Sequence, residues 1–372
     1  MRGSNSWCPT SEVFDRMHMP RPLKPEDFAQ CPLPITAHDT VQMGHGSGGR
    51  MMHDLVAKLF VWAFDNPILS RLDDQAVIDL ERHRLAMSTD SFVVDPLFFP
   101  GGDIGDLAVN GTVNDVCMCG ARPLYLSAGF IIEEGFALED LKRIVLSMKR
   151  AAQRAEVNII TGDTKVVNKG KGDKLFVNTT GIGILEHGYT ISSSNLKEGD
   201  RIILSGTIAD HGIAVLSRRE GLAFETSIAS DTAPLNDLVQ NILKAGGDAV
   251  HAMRDPTRGG LAATLNEFAS GSKVGIRVQE HCVPVQPPVA GACEMLGLDP
   301  LYVANEGKLV AAVAPEKANA VLAAVRAHEL GARAAMIGEV VRPSAAPVTM
   351  QTRIGGWRVV DMPVGEQLPR IC

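Results

Sequence analysis

Apolar residues change their period again and again along this chain, and that limits its folds more than any single motif does. "LEDLKRIVLSMKRAAQRA" (138–155) repeats at the helical spacing and reads as an amphipathic helix, whereas "VNIITGD" (157–163) and "LFVNTTGIGIL" (175–185) read as strands. Upstream, "RLAMSTDSFVV" (84–94) and "PLYLSAGFII" (123–132) are expected strands flanking a helix over "IGDLAVNGTVNDVCMCGA" (104–121). "NPILSRLDDQAVIDLERHR" (66–84) is polar and helix-like. Downstream of a turn cluster at "HGYTISSSNLKEGD" (187–200), strands at 201–206, 275–280, 308–315 and 334–341 interleave with helices at 212–221, 233–246, 259–270, 287–296 and 317–328. There is no regular βαβ beat and no short repeat, which predicts an α/β (α+β) protein with one sandwich of layers in each half. At 372 residues the chain is long enough for two domains.

The expected divisions are an extension over 1–40, a first α/β domain over 41–190, a second over 191–360 and a tail over 361–372. The extension is rich in Pro and polar residues, shows no sustained period and is expected to be partly disordered. The tail ends "PRIC", where Pro369 disfavours helix and leaves Cys372 at the tip of an extended, mobile segment.

Composition excludes several classes. A net charge of −7 with no basic run argues against a nucleic-acid partner. No apolar run approaches the ~20 residues of a membrane span, and "MRGSNSWCPT" lacks the apolar core of a signal peptide. The seven cysteines are odd in number and irregularly spaced, which suits a reducing, cytoplasmic setting rather than a disulfide framework. Cys117 and Cys119 lie in an apolar stretch with no second ligand pair and read as small buried hydrophobes.

The chemistry-bearing stretches are scattered. "GHGSGG" (44–49) fits a Gly-rich phosphate loop opening a helix, but the segment after it lacks the strand and acid of a dinucleotide fold. A flexible linker explains this stretch about as well. No Walker A sequence occurs, so ATP chemistry needs another scaffold. Acids sit instead at several element ends: Asp90 within a strand, Asn114 and Asp115 within an apolar helix, Asp163 with Lys165 after a Gly turn, and Asp255 in "RDPTRGG" with Arg258. Each alone reads as a cap or a solvated side chain. Taken together, carboxylates from separate elements are what clamps Mg²⁺ onto nucleotide phosphates. Asn305 and Glu306 in "VANEGKL" precede an apolar strand, where Glu306 is either a solvated turn residue or a base at a cleft mouth.

These stretches, with "STDSFVVDPLFFPGGDIG", "SGTIADHG" and the terminal "PRIC", closely resemble the HypE family of nickel–iron hydrogenase maturation factors from about Val41 to Cys372. That family belongs to the ATP-binding superfamily of aminoimidazole ribonucleotide synthetase and selenophosphate synthetase. The resemblance implies a two-domain synthetase-like fold that dimerises through its N-terminal strands. It implies ATP-dependent dehydration of a carbamoyl group on Cys372 to S-cyanate, to supply the cyanide ligand of the hydrogenase iron. HypF is the implied donor, and the HypC–HypD complex the implied acceptor. The motifs carry over as Asp90, Asp115, Asp163 and Asp255 for Mg²⁺–ATP, Gly46, Gly48 and Gly49 over phosphates, and Asn114 and Arg258 beside the nucleotide. Lys165 and Glu306 would do acid/base work at Cys372, and His45, Asp210 and His211 would line the site. The alternatives are another ATP-dependent enzyme of the superfamily, such as a selenophosphate synthetase, and a non-catalytic thiol carrier. The first expects a reactive Cys in a motif before the Gly loop, which Cys31 does not supply. The second makes no use of the acids.

Overall fold

The computed structural model describes residues 49–372 except 62–66, 81–82, 223–227 and 366–367. The 1–40 extension, His45, Gly46 and Gly48 lie outside the described residues. A short helix α1 (Arg50–Leu55) runs on as a π-helical turn to Val61.

The first half builds a five-stranded sheet from β1 (Ala76–Leu80), β2 (His83–Phe92), β5 (Arg122–Glu133), β6 (Asn158–Val167) and β7 (Leu175–Leu185). Its order is β1-β2-β7-β5-β6, with β3 (Phe98–Phe99) and β4 (Gly102–Asp103) forming a separate ribbon. β1 corrects the helix-like expectation for 66–84. "AVIDL" is rich in β-branched residues and pairs antiparallel with β2 from Ala76↔Met87 to Leu80↔His83, so tertiary pairing overrides the polar flanks. Side chains along β7 alternate between buried and more exposed, as a sheet with one covered face requires.

That face is covered by α2 (Ile104–Cys117), which is buried along nearly its whole length. Asp103 caps it, its carboxylate accepting from the amides of Gly105 at 2.8 Å and Asp106 at 3.2 Å. Gly181 and Gly183 of β7 let α2 approach: a Cβ at Gly183 would lie 2.6 Å from Val116. α3 (Leu138–Arg154) packs Ile144, Met148, Ala151 and Ala152 inward, with Glu139 and Asp140 in its first turn and Arg154 in its last, as the helix dipole favours.

The second half contributes β8 (Arg201–Leu204), α4 (Asp210–Arg219), α5 (Asn236–Gly246), β9 (Val250–Arg254), α6 (Gly260–Ser272), β10 (Gly275–Gln279), α7 (Pro287–Leu296), β11 (Val310–Val313), α8 (Pro315–Arg326), β12 (Ala335–Val341), β13 (Val348–Gln351) and β14 (Trp357–Val359). Their strands form a seven-stranded sheet ordered β14-β13-β10-β12-β8-β11-β9. β9, β13 and β14 have no counterpart in the sequence reading; each is five residues or shorter, too short for a period to register. One hydrophobic cluster runs from Phe92 and Leu107 in the first half through Ile203 and Leu235 in the second to Ile371 and Cys372. The chain's last two residues are therefore core residues.

Candidate active site

The acids that act on one another come from four separate places in the fold. Asp90 comes from β2, Asp115 from α2, Asp74 from the residues before β1, and Asp255 from the turn between β9 and α6. Burial pushes the Asp115 carboxyl well above the usual range, and the negative charges of Asp255, Asp90 and Asp74 push it further. Burial lifts Asp255 to about 6 against the opposing charge of Arg254. Asp90 is raised by burial, with Arg258 opposing. The Ser88 hydroxyl donates to Asp115 Oδ2 at 2.8 Å, and Arg254 holds Asp74 at 2.9 Å and Glu267 at 3.0 Å. The buried Asp255 Oδ2 has no hydrogen-bond partner.

Such a set suits a hard cation. Its oxygens are the donors Mg²⁺ prefers, their mutual repulsion is what a cation relieves, and one buried oxygen is unsatisfied. Among the described residues, no three His, Cys, Asp or Glu side chains are already gathered as a complete metal site.

Glu306 stands beside this cluster and is 2% exposed. Burial, then the charges of Asp255, Asp231 and Asp90, hold its carboxyl well above the ordinary range, with Arg258 opposing. Its Oε1 has no hydrogen-bond partner and lies 4.0 Å from His211 Nε2. The backbone around it is fixed: its N–H donates to Asp231 at 3.1 Å, and its carbonyl accepts from Asn114 Nδ2 at 2.9 Å. The negative charge of Cys372 is the strongest influence raising the pKa of Arg258, followed among the acids by Asp90, Glu306 and Asp115. Arg258 therefore stands between the acid cluster and the tail.

The tail lies against the body: its described residues form no helix or strand, and Ile371 is 3% and Cys372 7% exposed. The Val93 amide donates to a main-chain carboxylate oxygen of Cys372 at 3.1 Å, and the Asp95 amide to the Arg370 carbonyl at 3.2 Å. The segment after β2 thus pairs with the tail much as a strand edge pairs with a peptide. Leu368 packs against the buried cluster that contains Ala209, Ile213, Cys293 and Val303. Pro369 keeps the segment out of a helix, as expected, but cannot keep it out of the core.

Other expected site residues lie elsewhere or act differently. Asp163 and Lys165 are exposed on edge strand β6, where they pair with each other at 2.7 Å; the acid cluster of the same chain does not take them in. Asn114 acts here as a clasp between loops. Its amide donates to the carbonyls of Ala233 and Glu306, and its oxygen accepts from the Leu235 amide at 2.8 Å, so its polar atoms are spent on backbone. Asp210 accepts from Thr207 and Gln286 at the start of α4. Gly49 packs on the tail-side segment: a Cβ there would lie 2.3 Å from the Pro363 carbonyl oxygen. His211 does line the site, between Ser230 Oγ and the Ile371 carbonyl, each at 2.8 Å.

Sequence reasoning missed Asp74, Arg254, Asp231 and Lys308. Lys308 and Asp231 pair at 3.1 Å below Glu306. The signal for Asp74 was present, as an acidic pair directly before the alternating run "AVIDL".

Comparison with known proteins gives a consistent picture. The model for the AIR synthase related protein N-terminal domain matches residues 72–185, and that for the C-terminal domain matches 197–349. The carbamoyl dehydratase HypE of Bradyrhizobium diazoefficiens is 58% identical over 332 residues, covering 89% of this chain and 96% of the relative. That of Escherichia coli is 49% identical over 339 residues, covering 90% and 100%. Among solved structures, a chain of a HypE–HypF complex superposes with a TM-score of 0.79 at 50% identity, covering 83% of this chain and 99% of that one. HypE in complex with ATP superposes with a TM-score of 0.75 at 51% identity, covering 90% and 100%.

Proposed function

This chain belongs to the carbamoyl dehydratase HypE family within the AIR synthase fold, and we propose how its own residues carry out that family's reaction. It is an ATP-dependent dehydratase of hydrogenase maturation; in this reading its substrate is the S-carboxamide on its own Cys372. The observation that carries this reading is the burial of Cys372 against the core, with its charge acting on Arg258 alongside those of Asp90, Glu306 and Asp115. A selenophosphate synthetase has no use for a thiol there, and a bare thiol carrier has no use for the acids.

The amide oxygen is a poor leaving group. Transfer of the γ-phosphoryl group from ATP to that oxygen makes it one, and it departs as phosphate with both of its bonding electrons. The nitrogen loses two protons, and a C≡N bond replaces C–NH₂. Asp90, Asp115 and Asp255 would hold Mg²⁺, which neutralises phosphate charge when bound. Arg258 orients the tail through the charge of Cys372. Glu306 takes a proton from nitrogen. Burial and the neighbouring carboxylates raise its pKa, which makes it a stronger base than an ordinary carboxylate, and its Oε1, without a hydrogen-bond partner, can take the N–H. The apolar walls at Phe92, Phe99 and Ile371 keep water from the carbamoyl carbon.

HypF, seen bound to a relative of this chain, is the loading partner, and the HypC–HypD complex accepts the cyanide. A second copy of this chain covers the outer face of the first sheet. There Met87, Ile182 and Tyr125 form an exposed apolar row across three paired strands, and edge strand β6 exposes Ile160 and Val166. Asp163 and Lys165 lie on that same strand, so dimerisation decides what they face. Among the described residues no helix is long and apolar enough to cross a membrane, and the free thiols suit the reducing cytoplasm.

Mass spectrometry of the carboxyl-terminal peptide tests the reading. After incubation with HypF, carbamoyl phosphate and ATP, the peptide should gain a carbamoyl group and then lose one water. Carbamoylation without loss of water under saturating ATP would overturn it.

A further inference from the structure

Cys372 must be reached by a separate loading protein, yet it is 7% exposed, so something holds the tail in and must let it go. Two arginines carry most of the polar contacts. Arg219, in the last turn of α4, donates from Nε to the Asp95 carbonyl at 2.7 Å. From its two terminal nitrogens it donates to the Pro369 and Arg370 carbonyls, each at 2.6 Å. One planar guanidinium therefore joins the docking segment to the tail, a fork geometry that lysine cannot reproduce. Arg370 answers from the tail side: its Nε donates to the Val93 carbonyl at 3.0 Å, and its guanidinium pairs with Asp173. Its backbone is left-handed, at φ 52°, a conformation a non-glycine residue keeps only where contacts hold it. Apart from the Arg370 side chain, these are main-chain contacts, and Asp173 lies outside the acid cluster.

We propose that Arg219 and Asp173 form a latch on the tail, positioning Cys372 for dehydration and setting how often the thiol is released to its loading partner. The role rests on the dehydratase reading above, but the latch is measurable without it. The latch acts in opposite directions on the two half-reactions. Contacts that favour the docked tail speed the step inside the cleft and slow the step outside it. A general loss of folding would slow both.

The test uses the full-length protein and iodoacetamide as probe, with modification of Cys372 read on the carboxyl-terminal peptide. Asp173→Asn should speed alkylation of Cys372 by roughly tenfold, the scale of losing one charged hydrogen bond, and Arg219→Ala, which removes three, by at least as much. Asp173→Glu should restore much of the protection. The same variants should carbamoylate faster with HypF and dehydrate more slowly in a single turnover, at unchanged ATP affinity. Unchanged alkylation in both variants would overturn the latch, as would slowing of both half-reactions together. If the parent protein fails to dehydrate while alkylation still responds, the latch stands and the proposed reaction falls.

Discussion

The His211 ring places Nε2 2.8 Å from the Ile371 carbonyl and Nδ1 2.8 Å from Ser230 Oγ. The carbonyl can only accept, so Nε2 must carry the proton and Nδ1 accepts from the serine. A neutral imidazole in one fixed tautomer therefore holds the residue before the reacting cysteine, with Phe99 edge-on at 5.5 Å between ring centroids.

A pH dependence follows. Burial pushes the His211 pKa below its ordinary 6.5, with Asp231 opposing, and Glu306 is the other acid facing the ring. The unfolded chain then binds the proton first. The stability contributed is full above the unfolded pKa and is lost as pH falls below it. His211→Gln keeps a donor for Ile371 and removes the titration, so it should flatten the loss of stability between about pH 7 and about pH 5. Denaturant midpoints across that range check this, and a variant slope equal to the parent's refutes it.

Asp115→Asn should separate the two half-reactions. It removes a carboxylate from a mutually repelling set. The variant should therefore be more stable without nucleotide by about 1 kcal/mol, as when function has been bought with strain. Dehydration should cease while Cys372 still accepts a carbamoyl group. Thermal melting and peptide mass give both readouts, and full dehydration would remove Asp115 from the phosphate clamp.

Glu306→Gln keeps the shape and the backbone ties to Asp231 and Asn114 while removing the base. Single-turnover dehydration should fall by about 10²–10⁴-fold with ATP affinity kept. A loss below tenfold would assign the proton to another group.

Ile160→Asp places a charge on the exposed strand β6, where Ile160 is 62% exposed. It should shift the proposed dimer to monomer in light scattering without lowering the melting temperature of the monomer. An unchanged mass would locate the self-association surface elsewhere.

Gly260→Ala tests the acid-bearing turn. Gly260 has φ +62°, and a Cβ would lie 2.6 Å from the Leu301 carbonyl oxygen and 2.7 Å from that of Val303. Both neighbours are backbone and cannot swing away, so a loss of about 1–3 kcal/mol is expected. Chemical denaturation checks it, and a loss under 0.5 kcal/mol would show that the turn relaxes freely.

Long periodic elements were legible from sequence because their burial follows a single face, as along α3 and β7. β1 was not, since its apolar run is flanked by "SRLDD" and "ERHR" and gains its strand character from pairing with β2. The acids of the cleft were legible as residues out of place in apolar elements, such as Asp115 in α2. Asn114 beside it carried the same signal for a different reason, because joining loops also needs a buried amide. The docked tail was beyond reach. "QLPRIC" has no period, and the burial of Ile371 and Cys372 goes with contacts to Val93, Asp95, His211 and Arg219, which lie 150 or more positions from the tail residues they bind.

The packing of Cys372 into the same apolar cluster as Phe92 and Leu107 bears on kinetics as well as on stability. The reacting group arrives as part of the molecule, so its local concentration is set by chain geometry and not by the solution. Dehydration is then first order in loaded protein and has no Michaelis constant for the carbamoyl group; only ATP can be made limiting. Each molecule holds one equivalent and must hand it on before the next, which makes delivery of cyanide stoichiometric with visits by the loading and accepting partners.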